Sequence, residues 1–360
     1  MKKVLVVDDS ALMRRVLCDI INSDGRFNVA DEAVNGLAAL ELLRTNEYDV
    51  VVLDVNMPRM DGLSLLKELQ KENIKARIIM ASTYTTEGAQ VTLDALELGA
   101  LDFIHKPDWA YRCREDDFKV NFLRMLEAVS QAKIPQISTE RDRQQEKKQK
   151  ETLGTIERIA QKETAHITGR RIVAIASSTG GPRALQQVIP QMPQMLNAPV
   201  VLVQHMPPGF TLSLAQRLNH LSKIMVVEAE EGQVLENGCV YLARSGQHMN
   251  LVAKGKDTVV HYSDEPTREG VRPSANYMYE SLGNCNFDEI VCVVLTGMGA
   301  DGTEGILHLK DKKKTYVITQ DGDSCVVNGM PKSVVKAGLS NQTVDLPLIT
   351  QEIILRVGVQ

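Results

Sequence analysis

The stretch Ile172-Val173-Ala174-Ile175-Ala176-Ser177-Ser178-Thr179-Gly180-Gly181-Pro182 is an apolar run that stops abruptly at two hydroxyls and a glycine pair. A continuous apolar run bounded by turn residues predicts a strand buried on both faces, as in a parallel sheet. A serine on a sharp strand-to-helix turn is presented with backbone N–H groups free beside it. Ser178 is thus a candidate nucleophile, flanked symmetrically by the small residues Ala176 and Gly180, while Ser177 places a second hydroxyl next to it.

The same pattern continues downstream. Val200–Val203, Ile224–Val227, Val240–Ala243, Ile290–Leu295 and Tyr316–Thr319 read as further strands. Met249–Ala253 and Val259–Tyr262, on either side of Lys254-Gly255-Lys256-Asp257, read as a hairpin. From Arg170 onward the expected fold is a doubly wound α/β domain with a β-hairpin. Acyl transfer needs a nucleophile, a base, a carboxylate that orients the base, and donors for the oxyanion. His205, in Gln204-His205-Met206-Pro207-Pro208-Gly209, directly follows the strand Val200–Val203. Asp301, in Leu295-Thr296-Gly297-Met298-Gly299-Ala300-Asp301-Gly302, follows another buried strand. Three strand ends therefore deliver Ser178, His205 and Asp301 to one sheet edge, and the loop with Gly297 and Gly299 can approach a substrate closely. A lone histidine after a strand is more often a packed one; it is the matched set that carries the reading. His220 and His308 lie in helical stretches, His261 in the hairpin and His166 near a charged segment, while His248 precedes a strand and has a weaker claim.

The first 130 residues alternate short apolar runs with helical periodicity. Val4–Val7, Val29–Ala33, Val50–Leu53, Ile78–Ala81 and Leu101–Ile104 read as five strands, with helices such as Ala11–Ile21, Leu37–Leu43 and Leu63–Glu72 between them and Phe122–Val129 closing the unit. Regular βα alternation predicts a five-stranded parallel sheet of flavodoxin-like type with helices on both faces. Asp8 and Asp9 end the first strand and Asp54 the third, so three carboxylates converge where such sheets bind ligands. They would repel one another without a cation, and hard oxygen ligands with open positions favour Mg2+. Ser82 and Lys106 end neighbouring strands, and a hydroxyl and a lysine beside such a centre suit a phosphoryl group.

Between the two patterns, Glu140 to Glu151 contains four acids, five bases, three glutamines and no apolar residue. Such a segment cannot join a core and reads as a linker, after which Leu153, Ile156 and Ile159 have helical spacing. A length of 360 residues with 43% hydrophobic and 24% charged residues fits about two soluble domains. The net charge of -5 gives no general attraction to nucleic acid or to an anionic membrane. The apolar N-terminal run stops at Asp8, short of an export signal, and no segment approaches a membrane span. The six cysteines are scattered without a CxxC, which argues against both a disulfide framework and a zinc site and fits a reducing cytoplasm.

Over about residues 1–125 the chain resembles the receiver domain of two-component response regulators. The resemblance rests on Asp8-Asp9, on Asp54 followed by Met57-Pro58 and Asp61-Gly62, on Ser82, and on Lys106-Pro107. It implies that Asp54 accepts a phosphoryl group, that Asp9 and Asp54 bind Mg2+ with Asp8 assisting and the Asn56 backbone completing the site, and that Ser82 and Phe103 are the switch hydroxyl and aromatic. Over about residues 170–355 the chain resembles the catalytic domain of the chemotaxis protein-glutamate methylesterases. The matching words are Ser178-Thr179-Gly180-Gly181, Gln204-His205-Met206-Pro207, Arg272-Pro273-Ser274, Leu295-Thr296-Gly297-Met298-Gly299, Asp301-Gly302, and Ser324-Cys325-Val326-Val327 with Gly329-Met330-Pro331. This resemblance implies that Ser178 is the nucleophile, His205 the base, Asp301 its orienting carboxylate and the Met298 N–H an oxyanion donor. The family commonly has Gly-Ala before the nucleophile where Ala176-Ser177 stands here.

Together the resemblances imply a receiver domain over 1–125, a charged linker over 126–169 and a methylesterase domain over 170–360. They imply a cytoplasmic, phosphorylation-activated hydrolase recruited to receptor arrays. It would demethylate glutamyl methyl esters on chemoreceptors and deamidate receptor glutamines, with Mg2+ needed for phosphorylation and no cofactor for ester cleavage. Its partners would be the methyl-accepting receptors and a chemotaxis histidine kinase, not nucleic acid, with no membrane insertion. The unphosphorylated receiver is expected to restrain the catalytic edge. Two other classes fit parts of the pattern: a receiver joined to a non-catalytic output or scaffold module, and a small-molecule serine esterase.

Overall fold

The computed structural model describes residues 1–83, 86–106, 116–134 and 169–360, divided between two compact units, Met1–Ile137 and Ser138–Gln360. Cys113, Pro107, His166 and the Leu153, Ile156 and Ile159 series lie outside the described residues.

In the first unit the strands are β1 (Lys2–Val7), β2 (Phe27–Ala33), β3 (Val50–Asp54), β4 (Ile78–Thr83) and β5 (Asp102–Lys106). They pair in the order β2-β1-β3-β4-β5, every neighbour parallel. All five residues of β3 are buried, as expected of a central strand covered on both faces. Helices Ala11–Asn22, Gly36–Thr45 and Gly62–Lys71 are each started by a polar side chain that accepts an otherwise orphaned N–H. Ser10, Asn35 and Asp61 do this for Met13, Ala38 and Ser64 respectively. The closing helix is Asp116–Ser130, longer than its apolar stretch suggests and running past residue 125.

The second unit begins with β6 (Arg171–Ser177), β7 (Val200–Gln204), β8 (Met225–Glu228) and β9 (Cys239–Leu242). It continues with the hairpin β10 (His248–Lys254) and β11 (Asp257–Ser263), then β12 (Glu289–Val294), β13 (Lys314–Gln320) and β14 (Gln342–Val344). Seven of these form one parallel sheet in the order β14-β13-β12-β6-β7-β9-β8. From β6 the chain winds outward through β7, and it later returns to the other side of β6 through β12. The order therefore reverses between β6 and β12, which is where open α/β sheets bind their ligands. The hairpin is antiparallel and buries Met249, Leu251, Val260 and Tyr262 in the same core as Ile172, Ala174 and Tyr279. Burying side chains of this size contributes about 1.5–3 kcal/mol each relative to leaving them exposed.

The expected fold class holds for both halves. His248 does not precede a strand: it opens β10 and is fully buried. β14 has no apolar run to announce it, since Gln342-Thr343-Val344 is short and mostly polar and is recruited as an edge strand by β13. Cys18, Cys239, Cys285, Cys292 and Cys325 are free and buried, packed as small apolar residues. No helix among the described residues is long and apolar enough to cross a membrane.

Candidate active site

At the switch point of the seven-stranded sheet the main chain links the three strand ends directly. The Ser178 N–H donates to the Thr296 carbonyl at 3.0 Å, and the His205 N–H donates to the Ser177 carbonyl at 3.1 Å. The turn after Ser178 depends on Gly180, whose φ of +76° a residue with a Cβ rarely adopts. Ser178 itself is half-buried, whereas Ser177 is fully buried and donates its hydroxyl to Gln204 Oε1 at 2.7 Å. The Gln204 amide then donates from Nε2 to the carbonyls of Ser178 and His205, both at 3.0 Å. One buried side chain thus brackets the backbone of the candidate nucleophile and the candidate base. The second hydroxyl is committed to that bracket.

His205 Nε2 lies 2.8 Å from Asp301 Oδ2. With the carboxylate ionised, Nε2 carries the ring proton and Nδ1 keeps the basic lone pair. Asp301 is buried and is held by more than His205. Its Oδ2 also accepts the Ala275 N–H at 2.6 Å, and its Oδ1 accepts the Ser274 hydroxyl at 2.7 Å and the Asn276 N–H at 3.1 Å. These donors cluster at the N-terminus of helix Ala275–Leu282, where a negative charge is favoured. Burial opposes ionisation of Asp301, but the hydrogen bonds and charge of His205, with Ser274 and Ala275, outweigh it and hold the carboxyl below its ordinary value.

The loop after β12 carries the expected oxyanion donor. The Gly297 N–H donates to the Val327 carbonyl at 2.9 Å, and the Gly297 carbonyl accepts the N–H groups of Gly329 and Met330, both at 2.9 Å. In a trans peptide the carbonyl and the following N–H point opposite ways. The Met298 N–H is therefore turned away from those donors, and it has no acceptor among the described residues. A Cβ at Gly297 would meet Met330 Sδ and lie 2.8 Å from Ser178 Cβ, so this loop comes as close to Ser178 as glycine permits.

In the first unit the predicted acidic residues also converge. Carboxylate oxygens of Asp8, Asp9 and Asp54 lie within 4.8 Å of one another. Lys106 Nζ is 2.9 Å from Asp8 Oδ2 and 2.7 Å from Asp54 Oδ1. Burial pushes the Asp54 carboxyl up to about 6, against the pull of Lys106. Burial would lower the Lys106 ammonium, but Asp54 and Asp8 together raise it. Ser82, near the end of β4, and Phe103, three positions before Lys106 in the adjacent strand β5, are both buried. Arg14 donates to the carbonyls of Asp8 at 2.8 Å and Asp9 at 3.2 Å and so fixes the acidic loop.

Three residues that matter here, Gln204, Ser274 and Ala275, carry no role that the sequence alone assigns. The first two stand within the matching motif words, and Gln204 is visible as the polar end of an apolar strand. Ser274 reaches Asp301 only across 27 positions, a contact that no local pattern encodes.

The chain is similar to known proteins in both of its units. A family model described as CheB methylesterase matches residues 173–353. A second, described as response regulator receiver domain, matches residues 4–111. A Pyrococcus abyssi protein named protein-glutamate methylesterase/protein-glutamine glutaminase is 41% identical over 355 residues, 99% of this chain and 93% of that one. A Bacillus subtilis protein of the same name is 41% identical over 346 residues, 95% of this chain and 94% of that one. Among solved structures, the Thermotoga maritima CheB methylesterase catalytic domain aligns with a TM-score of 0.50 at 39% identity. It covers 52% of this chain and 98% of its own.

Proposed function

The chain belongs to the protein-glutamate methylesterase/protein-glutamine glutaminase family, and from that premise we propose how its residues carry out the reaction. It is a hydrolase of chemotactic signalling, with a receiver domain ahead of the esterase domain. The substrate we assign is the glutamyl methyl ester, or the glutamine amide, of a methyl-accepting receptor. Ser178 Oγ attacks the side-chain carbonyl while His205 takes the proton, and Asp301 stabilises the imidazolium that forms. The Met298 N–H stabilises the oxyanion. Collapse expels methanol from an ester or ammonia from an amide, with His205 returning the proton. Water then cleaves the acyl-enzyme with the same base, leaving glutamate. The observation that carries this reading is the joining of three strand ends at the switch point by the Ser178 N–H to Thr296 carbonyl and His205 N–H to Ser177 carbonyl bonds, with His205 Nε2 and Asp301 Oδ2 2.8 Å apart.

For the receiver we propose Asp54 as the phospho-acceptor, a histidine kinase as phosphodonor, and Mg2+ held by Asp9 and Asp54, with Asp8 and the Asn56 backbone assisting. The all-oxygen donor set fits a hard cation. Mg2+ bound there supplies positive charge for phosphoryl oxygens. Lys106 pairs with Asp54 and stabilises the charge added by phosphorylation, and Ser82 and Phe103 register it. The charged segment within 126–169 is the proposed tether between the two activities.

Labelling with a fluorophosphonate probe tests the esterase assignment. Wild-type protein is expected to label at Ser178, Ser178→Ala not at all, and His205→Ala or Asp301→Ala on the order of 10⁴-fold more slowly. Full labelling of Ser178→Ala would overturn the assignment, and absence of labelling in the wild-type protein would favour a scaffold.

A further inference from the structure

We infer that His248 is a positioning residue for the His205–Asp301 pair, acting through Ser274. His248 opens β10 with its side chain fully buried, 43 positions from His205 in sequence. Its Nδ1 accepts the Ser274 N–H at 3.1 Å. Ser274 is the N-cap of helix Ala275–Leu282: its Oγ accepts the Asn276 N–H at 3.2 Å and donates to Asp301 Oδ1 at 2.7 Å. In a capping box the N-cap residue's own N–H is taken by a Glu or Gln three positions on. Here that position holds Tyr277, which has no such acceptor, and its ring instead packs against His248 with centroids 4.5 Å apart. His248 supplies from another strand the acceptor that the helix lacks.

The consequence reaches the active site in two bonds. With its N–H anchored, Ser274 has one orientation in which its hydroxyl both caps the helix and donates to Asp301. An unpaired Ser274 N–H, buried with no solvent access, would favour a rotated cap and a looser carboxylate. The role needs a neutral ring with the proton on Nε2, because an imidazolium would set one N–H against another. Burial, followed by the charge of Arg272, pushes the His248 imidazolium down, with the Glu265 and Pro266 backbone carbonyls and the Glu265 carboxylate opposing. From the other side, Asn276 Oδ1 accepts the N–H groups of Gly302 at 3.0 Å and Gly305 at 2.7 Å, which ties helix Ala275–Leu282 to the Asp301 loop.

This inference rests on the catalytic triad proposed above. Its test is methanol release by the full-length protein carrying His248→Leu, which removes the acceptor, or His248→Asn, whose Oδ1 replaces Nδ1. His248→Leu is expected to lower kcat roughly tenfold with KM within about twofold. It should also move the acidic limb of the rate–pH profile to lower pH, as an imidazolium at His205 loses part of its counter-charge. His248→Asn should restore both. As a structural control, Val260→Ala in the same hairpin core should lower Tm without moving the limb. Wild-type kcat in His248→Leu, or equal impairment of the two variants with an unmoved acidic limb, would overturn the inference. Failure of the triad itself is read separately: Ser178→Ala would then retain activity, whereas failure of this inference alone leaves Ser178→Ala inactive.

Discussion

At the scale of single residues, the two adjacent serines divide cleanly by environment. Ser178 stands at a half-buried turn beside His205, while Ser177 is sealed inside the sheet against Gln204 Oε1. Ser177→Ala should therefore leave probe labelling at Ser178 intact, which marks Ser177 as no nucleophile. It should nonetheless destabilise the protein by roughly 1–3 kcal/mol, because the Gln204 oxygen loses its buried donor. Thermal unfolding beside labelling kinetics checks this; abolished labelling with unchanged stability would reverse the two roles. The proposal of Ser178 over Ser177 as the nucleophile is legible from the flanking Ala176 and Gly180. What the other serine does is not, because its partner comes from a strand 27 positions away.

At the scale of elements, the catalytic edge is built by loops that approach each other as closely as backbone allows. Gly297→Ala puts a methyl group against Met330 Sδ and 2.8 Å from Ser178 Cβ. Overpacking of this kind costs about 1–3 kcal/mol, but its main effect here is to displace Ser178 from the Met298 N–H. The variant should stay folded by circular dichroism and lose at least about 10²-fold in kcat; wild-type kcat would show that the loop after β12 is not part of the oxyanion site. The strands flanking this edge are readable because Ile172–Ala176, Val200–Val203 and Ile290–Leu295 are uninterrupted apolar runs buried on both faces. β14 is not, since an edge strand of three residues needs little hydrophobicity of its own. The capping of helix Ala275–Leu282 by Ser274 and His248 is equally hidden. It is a tertiary contact standing in for a local capping motif.

At the scale of the whole molecule, a phosphoryl-accepting unit and an acyl-transfer unit share one chain. Both place their chemistry at the C-terminal ends of parallel strands, so the polar residues that end apolar runs mark both sites in the amino-acid sequence. Control of one by the other is visible there only through family resemblance. If the receiver restrains the esterase, a fragment starting at Thr168 should show higher basal methanol release than the unphosphorylated full chain. Equal rates would rule that restraint out. The most direct test is methanol release from methylated receptors, with and without a small phosphodonor and Mg2+, for wild type and Ser178→Ala. Release by the wild type should rise on addition of the phosphodonor, and Ser178→Ala should release none in either condition; methanol release by Ser178→Ala at the wild-type rate would contradict the assignment of Ser178 as the nucleophile.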